Sequence, residues 1–238
     1  DFEYQRTHTS NVMSFDTAKK AIDFYVAHSG NRSTVTIGLY GGEPLLEFEL
    51  FKKIVRYAEC AFEGKEIMFT TTTNGSLFTD EVAQFFNKHN INYMISLDGT
   101  KEIHDRSRKF AANGKGTFDL IQKNILNMKE KYPSLFQRGS INVVIDPRFP
   151  SNPLHDMFTK NPLWKDINIQ STLIEDAFEI EKVAPTEEYL LQDRIHAFKV
   201  YMSLLERYPQ NNISKIAWNN FQRESNTFDR SMSPASAL

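Results

Sequence analysis

Cysteine is almost missing from this sequence: Cys60 is the single one in 238 residues. One thiol closes no intrachain disulfide and holds no thiolate metal cluster by itself. An excess of charge of one sign is missing too. The 28 Lys and Arg residues nearly balance the 30 Asp and Glu, leaving a formal net charge of −2. Such a surface exerts no general pull on nucleic acid or on an anionic membrane, so neither is expected as a partner. No apolar run approaches the ~18 residues of a membrane span, and no signal-peptide pattern opens the chain. A cytoplasmic location is the default expectation. The six histidines, His8, His28, His89, His104, His155 and His196, show no paired metal-ligand spacing. A phosphate-binding P-loop and a Gly-x-Ser-x-Gly elbow are also lacking. What remains is a chain that is 40% hydrophobic, with 19 phenylalanines. That composition builds a core and excludes disorder.

Periodicity supplies the architecture. A helix is expected from Ser14, an N-cap, with Phe15, Ala18, Ile22, Tyr25 and Val26 on one face. Strands are expected over Val35–Tyr40, Ile67–Thr72, Ile91–Leu97, Ser140–Ile145 and Ile167–Leu173, where β-branched and aromatic residues gather. Helices alternate with them over about 47–62, 79–90, 118–128 and 154–160. A strong helix follows Thr186, its seam formed by Leu191, Ile195, Phe198, Met202 and Leu205. The order is one helix and then βα five times, which predicts a parallel sheet with right-handed crossovers. A first helix without a strand is what a cut inside the first βα unit leaves. The expected fold class is therefore α/β: a partial (β/α)6 TIM-like barrel of mostly parallel strands, with its first strand missing. The core is expected over 1–208. A linker toward a further C-terminal domain is expected over 209–238, with a helix near 213–221. The chain starts at Asp1 without Met and ends in the small-residue run 231–238, so both ends read as cuts. The sheet edge so exposed is expected to favour association.

In parallel βα folds, ligands gather at the C-terminal ends of strands. Three successive strands here end in small, polar or acidic residues: Tyr40-Gly41-Gly42-Glu43-Pro44, Thr72-Thr73-Asn74-Gly75 and Ser96-Leu97-Asp98-Gly99. Two glycines let backbone approach a ligand closely. Their carbonyls accept hydrogen bonds from an ammonium group, the Glu43 carboxylate complements its charge, and Pro44 fixes the exit from the strand. A strand-to-loop turn with a solvated glutamate explains the same four residues. A phosphate site is disfavoured, because Glu43 repels an anion.

The run Gly38-Leu39-Tyr40-Gly41-Gly42-Glu43-Pro44-Leu45-Leu46 resembles the GGEP motif of radical S-adenosylmethionine enzymes, and Thr72-Thr73-Asn74-Gly75 is similar to their TNG turn. Ile95-Ser96-Leu97-Asp98-Gly99 with His104-Asp105-Arg106-Ser107-Arg108, and then Gly114-Lys115-Gly116-Thr117-Phe118, resemble segments of the SPASM branch. That branch holds anaerobic sulfatase maturases and peptide thioether-forming maturases. The stretches Glu3-Tyr4-Gln5-Arg6-Thr7-His8 and Ile145-Asp146-Pro147-Arg148 look closest to maturases of cysteine-rich peptides. The resemblance runs over about 12–175.

The resemblance implies a cofactor, S-adenosyl-L-methionine, whose amino group is held by Gly41, Gly42 and Glu43, with Pro44 and Asn74 beside it. It implies Ser96 at the ribose or carboxylate, Arg108 as a two-pronged partner for the carboxylate, and Asp98 and Asn142 facing the cofactor. Asp98 reads equally as a turn aspartate. His104 and Asp105 read better as a helix-start pair held by local hydrogen bonds, and Tyr40 as core. The implied activity is reductive cleavage of the cofactor to a 5′-deoxyadenosyl radical, which takes a hydrogen atom from a peptide or protein substrate. Thioether formation and sulfatase-type maturation are the implied outcomes. An electron donor such as flavodoxin or ferredoxin is the implied partner. The family's C-x3-C-x2-C loop for a [4Fe–4S] cluster is a departure, because this chain has only Cys60, read as a small helix residue near the core. The expectation is a core fragment, inactive alone, of a larger enzyme whose cluster ligands lie outside this sequence. The alternative is a cluster-free module that binds a small molecule or peptide at the same rim.

Overall fold

The structure, a computed structural model, describes residues 11–174 and 183–231, with side chains as far as 223. The resemblance at Glu3–His8 and the tail 232–238 lie outside the described residues. In chain order the elements are α1 (Phe15–His28), β1 (Thr34–Leu39), α2 (Phe48–Ala61), β2 (Glu66–Thr73), α3 (Asp80–Lys88), β3 (Asn92–Ser96) and α4 (Lys101–Ser107). Then come α5 (Phe118–Lys131), α6 (Pro133–Arg138), β4 (Gly139–Ile145), α7 (Asn152–Lys160), β5 (Asn168–Leu173), α8 (Glu187–Leu204) and α9 (Lys215–Ser231). The described residues form two compact units, the first over 11–96 with 120–139, the second over 97–119 with 140–174 and 183–231.

In the first unit β1 pairs with β2 and β2 with β3, all parallel, so that Gly38, Thr70 and Asn92 stand side by side. Strand alternation splits the residues between two faces. One face carries Val35, Phe69, Thr71, Thr73, Tyr93 and Ile95, all buried. Phenylalanines fill the space around it. Phe51 stacks on Phe86 at 5.4 Å, and Phe78 meets Tyr93 at 4.8 Å. The other face is polar and partly open: Thr36 and Gly38 are exposed, Thr70, Thr72, Met94 and Ser96 half-buried. Helix starts follow the sequence. The Ser14 hydroxyl accepts the Thr17 N–H at 3.1 Å, and Thr79 caps α3 in the same way.

In the second unit β4 pairs with β5 in parallel, Asn142 beside Gln170. The edge of β5 away from β4 is closed by α9. Lys215 Nζ donates to the Ile167 carbonyl at 2.8 Å, Asn219 Nδ2 to Ile169 at 2.7 Å, and an Arg223 Nη to Ser171 at 3.1 Å. Four residues of helix rise ~6 Å and two residues of strand ~6.6 Å, so the two spacings run in step. Burial pulls the Lys215 ammonium below its ordinary range. The ladder satisfies carbonyls that otherwise invite another strand.

Several expectations need correcting. The polar stretch before Gly116 contains α4, and α6 was not foreseen; both are short, and neither has enough apolar spacing to signal itself. Helix α9 runs to Ser231, well past the expected 213–221. The apolar seam of α8 is not its buried face. Leu191 is 60% exposed, Phe198 62% and Leu205 64%, while Tyr189, His196, Val200 and Ser203 are buried. Polar partners turn the helix that way. The ring of His196 stacks on that of His155 at 3.6 Å, and its Nε2 meets Asn152 Oδ1 at 2.9 Å. The other ring is anchored too, because His155 Nδ1 and Ser214 Oγ share a short hydrogen bond. Cys60 is exposed on α2 rather than near the core, and Tyr40 is 81% exposed rather than core.

The histidine pair sets an acid limit. Burial, with Lys199 nearby, pushes His155 down to about 3 and His196 down to about 4; Asp156 opposes the shift at His196. In the unfolded chain both rings protonate near 6.5. The contribution is therefore complete above about pH 6.5 and is lost as pH falls toward the folded values. One ring held neutral loses about 2 kcal/mol between pH 7.5 and pH 5. Urea unfolding at those two pH values is expected to show at least that loss, and His155→Gln to shrink it. Equal losses in both proteins contradict the assignment.

Candidate functional site

At the end of β1 the chain turns through Gly41 and Gly42 into a 3-10 turn over Pro44–Glu47. Proline at the first position suits it, because the missing N–H has no partner there anyway. Glu43 precedes the turn and caps it, Oε1 accepting the Leu45 N–H at 3.1 Å. The same oxygen accepts the Thr73 hydroxyl at 2.7 Å, and Oε2 accepts the Asn74 N–H at 2.6 Å. The carboxylate thus ties the end of β1 to the end of β2. A carboxylate has about four acceptor positions. Three are filled here, and no donor among the described residues fills the fourth, on Oε2.

The two glycines beside it have no intrachain reason to be glycine. A Cβ built at Gly41 or Gly42 meets nothing within 4 Å, and neither residue has a left-handed φ. At Gly139, by contrast, a Cβ comes within 2.3 Å of the Tyr93 ring, and at Gly116 within 1.9 Å of the Asp105 carboxyl carbon. Packing fixes glycine at 116 and 139. At 41 and 42 it leaves open room beside a carboxylate, with Tyr40 (81% exposed) and Leu46 (71% exposed) flanking it.

The Asn74 side chain is used locally. Its Oδ1 accepts the Ser76 N–H at 2.9 Å and the Ser76 hydroxyl at 2.7 Å, an Asx turn. Ser96 ends β3 on the polar, partly open face.

The second unit holds the other group. Asp98 binds Arg108 with two bonds, Nε to Oδ2 and an Nη to Oδ1 at 3.1 Å, and Oδ1 also accepts the Val144 N–H. Arg108 is therefore already partnered, keeping its remaining donors for anything else. His104 is fully buried. Its Nδ1 accepts the Asp98 N–H at 3.2 Å, so Nε2 carries the proton and donates to Thr117 Oγ1 at 2.9 Å. Burial lowers its pKa and keeps the ring neutral. Burial raises the Asp105 carboxyl, but the bonds from Lys101 and the Phe118 N–H outweigh it and hold the group below its ordinary value. His104 and Asp105 thus bind residues thirteen positions away as well as local ones. Asn142 lies on β4, its carbonyl accepting the Leu97 N–H at 2.9 Å.

The nine residues singled out from sequence thus fall into two sets. Gly41, Gly42, Glu43, Pro44, Asn74 and Ser96 belong to the first unit, Asp98, Arg108 and Asn142 to the second. Thr73, His104 and Thr117 were missed as partners of these residues. Thr73 lies inside the motif, but its sequence gives no sign that its hydroxyl points at Glu43.

A three-thiolate cluster does not fit these residues. Cys60 stands alone on the surface of α2, and no three His, Cys, Asp or Glu converge among the described residues. The first unit instead offers open room at the Gly41 and Gly42 backbone beside a carboxylate with one acceptor position unfilled among the described residues. Among the described residues no helix is long and apolar enough to cross a membrane.

Comparison with known proteins gives a consistent picture. The profile described as the Radical SAM superfamily matches residues 2–158. The uncharacterized protein MJ0907 of Methanocaldococcus jannaschii is 28% identical over 206 residues, 87% of this chain and 66% of that protein. The serine-type anaerobic sulfatase-maturating enzyme of Bacteroides thetaiotaomicron is 33% identical over 121 residues, 50% of this chain and 29% of that enzyme. In fold, the chain is similar to native anSMEcpe with bound AdoMet and Kp18Cys peptide, with a TM-score of 0.67 at 18% identity, over 87% of this chain and 57% of that one. The chain spans between about a third and two thirds of the length of these relatives.

Proposed function

Because the chain belongs to the radical SAM superfamily, we propose that it is the S-adenosylmethionine-binding core of a peptide- or protein-modifying enzyme. Its partial parallel α/β barrel fold and its similarity to SPASM-branch maturases agree with the expectation from sequence. The 238 residues carry one cysteine, too few for the cluster, and the core by itself is expected to be inactive.

The open glycine pair beside Glu43 carries the reading. In it, the Gly41 and Gly42 carbonyls and the vacant position on Glu43 Oε2 receive the three N–H donors of the methionyl ammonium. Charge-assisted bonds of this kind are about twice as strong as neutral ones. Asn74 shapes the loop, and Pro44 sets its exit. Ser96 takes the ribose or the carboxylate. In the second unit Asp98 keeps Arg108 in one orientation with donors to spare. Given one electron from a [4Fe–4S] cluster that these residues cannot hold, the cofactor would part into methionine and a 5′-deoxyadenosyl radical, which would take a hydrogen atom from a peptide. Sulfatase-type maturation is the reaction that the sulfatase-maturating relative suggests; thioether formation, and a flavodoxin or ferredoxin as electron donor, rest on the sequence resemblance.

Calorimetric titration of the chain tests the binding step. S-adenosylmethionine is expected to bind at least about tenfold more tightly than 5′-methylthioadenosine, which lacks the amino acid head group. Equal affinities contradict the reading.

A further inference from the structure

We propose that Thr73 is a positioning residue for the ligand ammonium, acting through the Glu43 carboxylate. The inference rests on the binding reading above and deepens it. Thr73 ends β2 and is 2% exposed. Its hydroxyl is committed on both sides. It donates to Glu43 Oε1 at 2.7 Å and accepts the Gly75 N–H at 3.1 Å. The Gly75 N–H thereby fixes the hydroxyl rotor and points its proton at Glu43.

Glu43 has several side-chain torsions, and a carboxylate on such a stem ordinarily turns freely. Here Oε1 is filled by Leu45 N–H and Thr73 O–H, and Oε2 takes Asn74 N–H. Of these donors only Thr73 is a side chain, so it alone is removable without rebuilding backbone. Without it Oε1 keeps one donor and regains a vacancy. The carboxylate then has two open positions, one on each oxygen, and no single orientation that presents Oε2. A bulk role in packing makes a different demand. The buried Thr73 side chain sits in a row with Phe69 and Thr71, and valine, of the same shape, satisfies that row without a hydroxyl.

Two ligands separate these roles: S-adenosylmethionine, and its 2-oxo analogue with a carbonyl in place of the amine. Titration of the chain with both is expected to show Thr73→Val weakening S-adenosylmethionine about tenfold, with the analogue changed less than about twofold and Thr73→Ser restoring wild-type affinity. Equal weakening of both ligands means that the residue only packs, and an unchanged affinity for S-adenosylmethionine means that the hydroxyl positions nothing; either overturns the inference. A wild-type chain that binds both ligands alike, or neither, overturns the binding reading itself and the inference with it. If the valine variant does not fold, Thr73→Ala, which removes the hydroxyl without adding bulk, carries the same comparison.

Discussion

Glu43→Ala is expected to lower the stability of the chain by about 3 kcal/mol and to abolish measurable binding of S-adenosylmethionine. The stability loss follows from three donors left behind. The Leu45 N–H, the Asn74 N–H and the Thr73 hydroxyl all point at the carboxylate, and Thr73 is buried. Removing one partner of a buried hydrogen bond costs more than the bond contributes, because the other is left without water. Glu43→Gln separates the two effects. Its amide oxygen accepts two of the donors and its nitrogen repels the third, so about half of the stability is expected to return. Affinity is expected to stay low, because an amide offers an ammonium no charge. Urea unfolding and calorimetry measure the two quantities. A stable Glu43→Ala protein means that the loop is held by something else.

The glycines divide into two classes with opposite expected behaviour. Gly139→Ala is expected to lose about 2–3 kcal/mol, because its Cβ falls within 2.3 Å of a Tyr93 ring that has nowhere to go. That ring is 2% exposed, packed on Phe78, with its hydroxyl on Met128 Sδ at 2.7 Å. Gly116→Ala drives the Asp105 carboxylate off the Phe118 N–H and Lys101, at 3.0 and 2.9 Å, and a similar loss is expected. Gly41→Ala and Gly42→Ala meet open space. Their stability is expected to hold or to rise by about 0.5 kcal/mol, since alanine restricts the unfolded chain. Their affinity for S-adenosylmethionine is nonetheless expected to fall about tenfold, because the new methyl stands where the ligand approaches. Thermal melts and titration of the four variants check this. Gly41→Ala and Gly42→Ala proteins that melt early place the glycines among the structural ones.

These two classes show where sequence reading works and where it stops. The alternation of strands with amphipathic helices is written in spacing, so β1 to β5 and α1 to α3 fall close to the expected bounds. The strand-end motifs are visible because glycine, proline and acid residues gather there. What spacing leaves out is the partner of a polar group. Thr73, Asp98 and His104 each bind a residue that only the fold brings near. The α8 seam misled for the same reason. Leu191, Ile195 and Phe198 have the right period for burial, yet His196 faces inward, because His155 and Asn152 supply it with ring stacking and a hydrogen bond. Apolar period states which residues share a face of a helix, not which face a neighbour covers. Tyr40 misled similarly. A tyrosine at the end of a strand reads as core, but Tyr40 continues the exposed positions Thr36 and Gly38 and is exposed with them.

The account turns on the ammonium site at the end of β1. A crystal structure of this chain soaked with S-adenosylmethionine examines it directly. The expected result places the methionyl nitrogen within hydrogen-bond reach, ~2.7–3.2 Å, of the Gly41 and Gly42 carbonyl oxygens and of Glu43 Oε2, with Thr73 and Asn74 still on the carboxylate. A nitrogen bound elsewhere, or a Glu43 that swings away from Thr73 when the ligand enters, contradicts it.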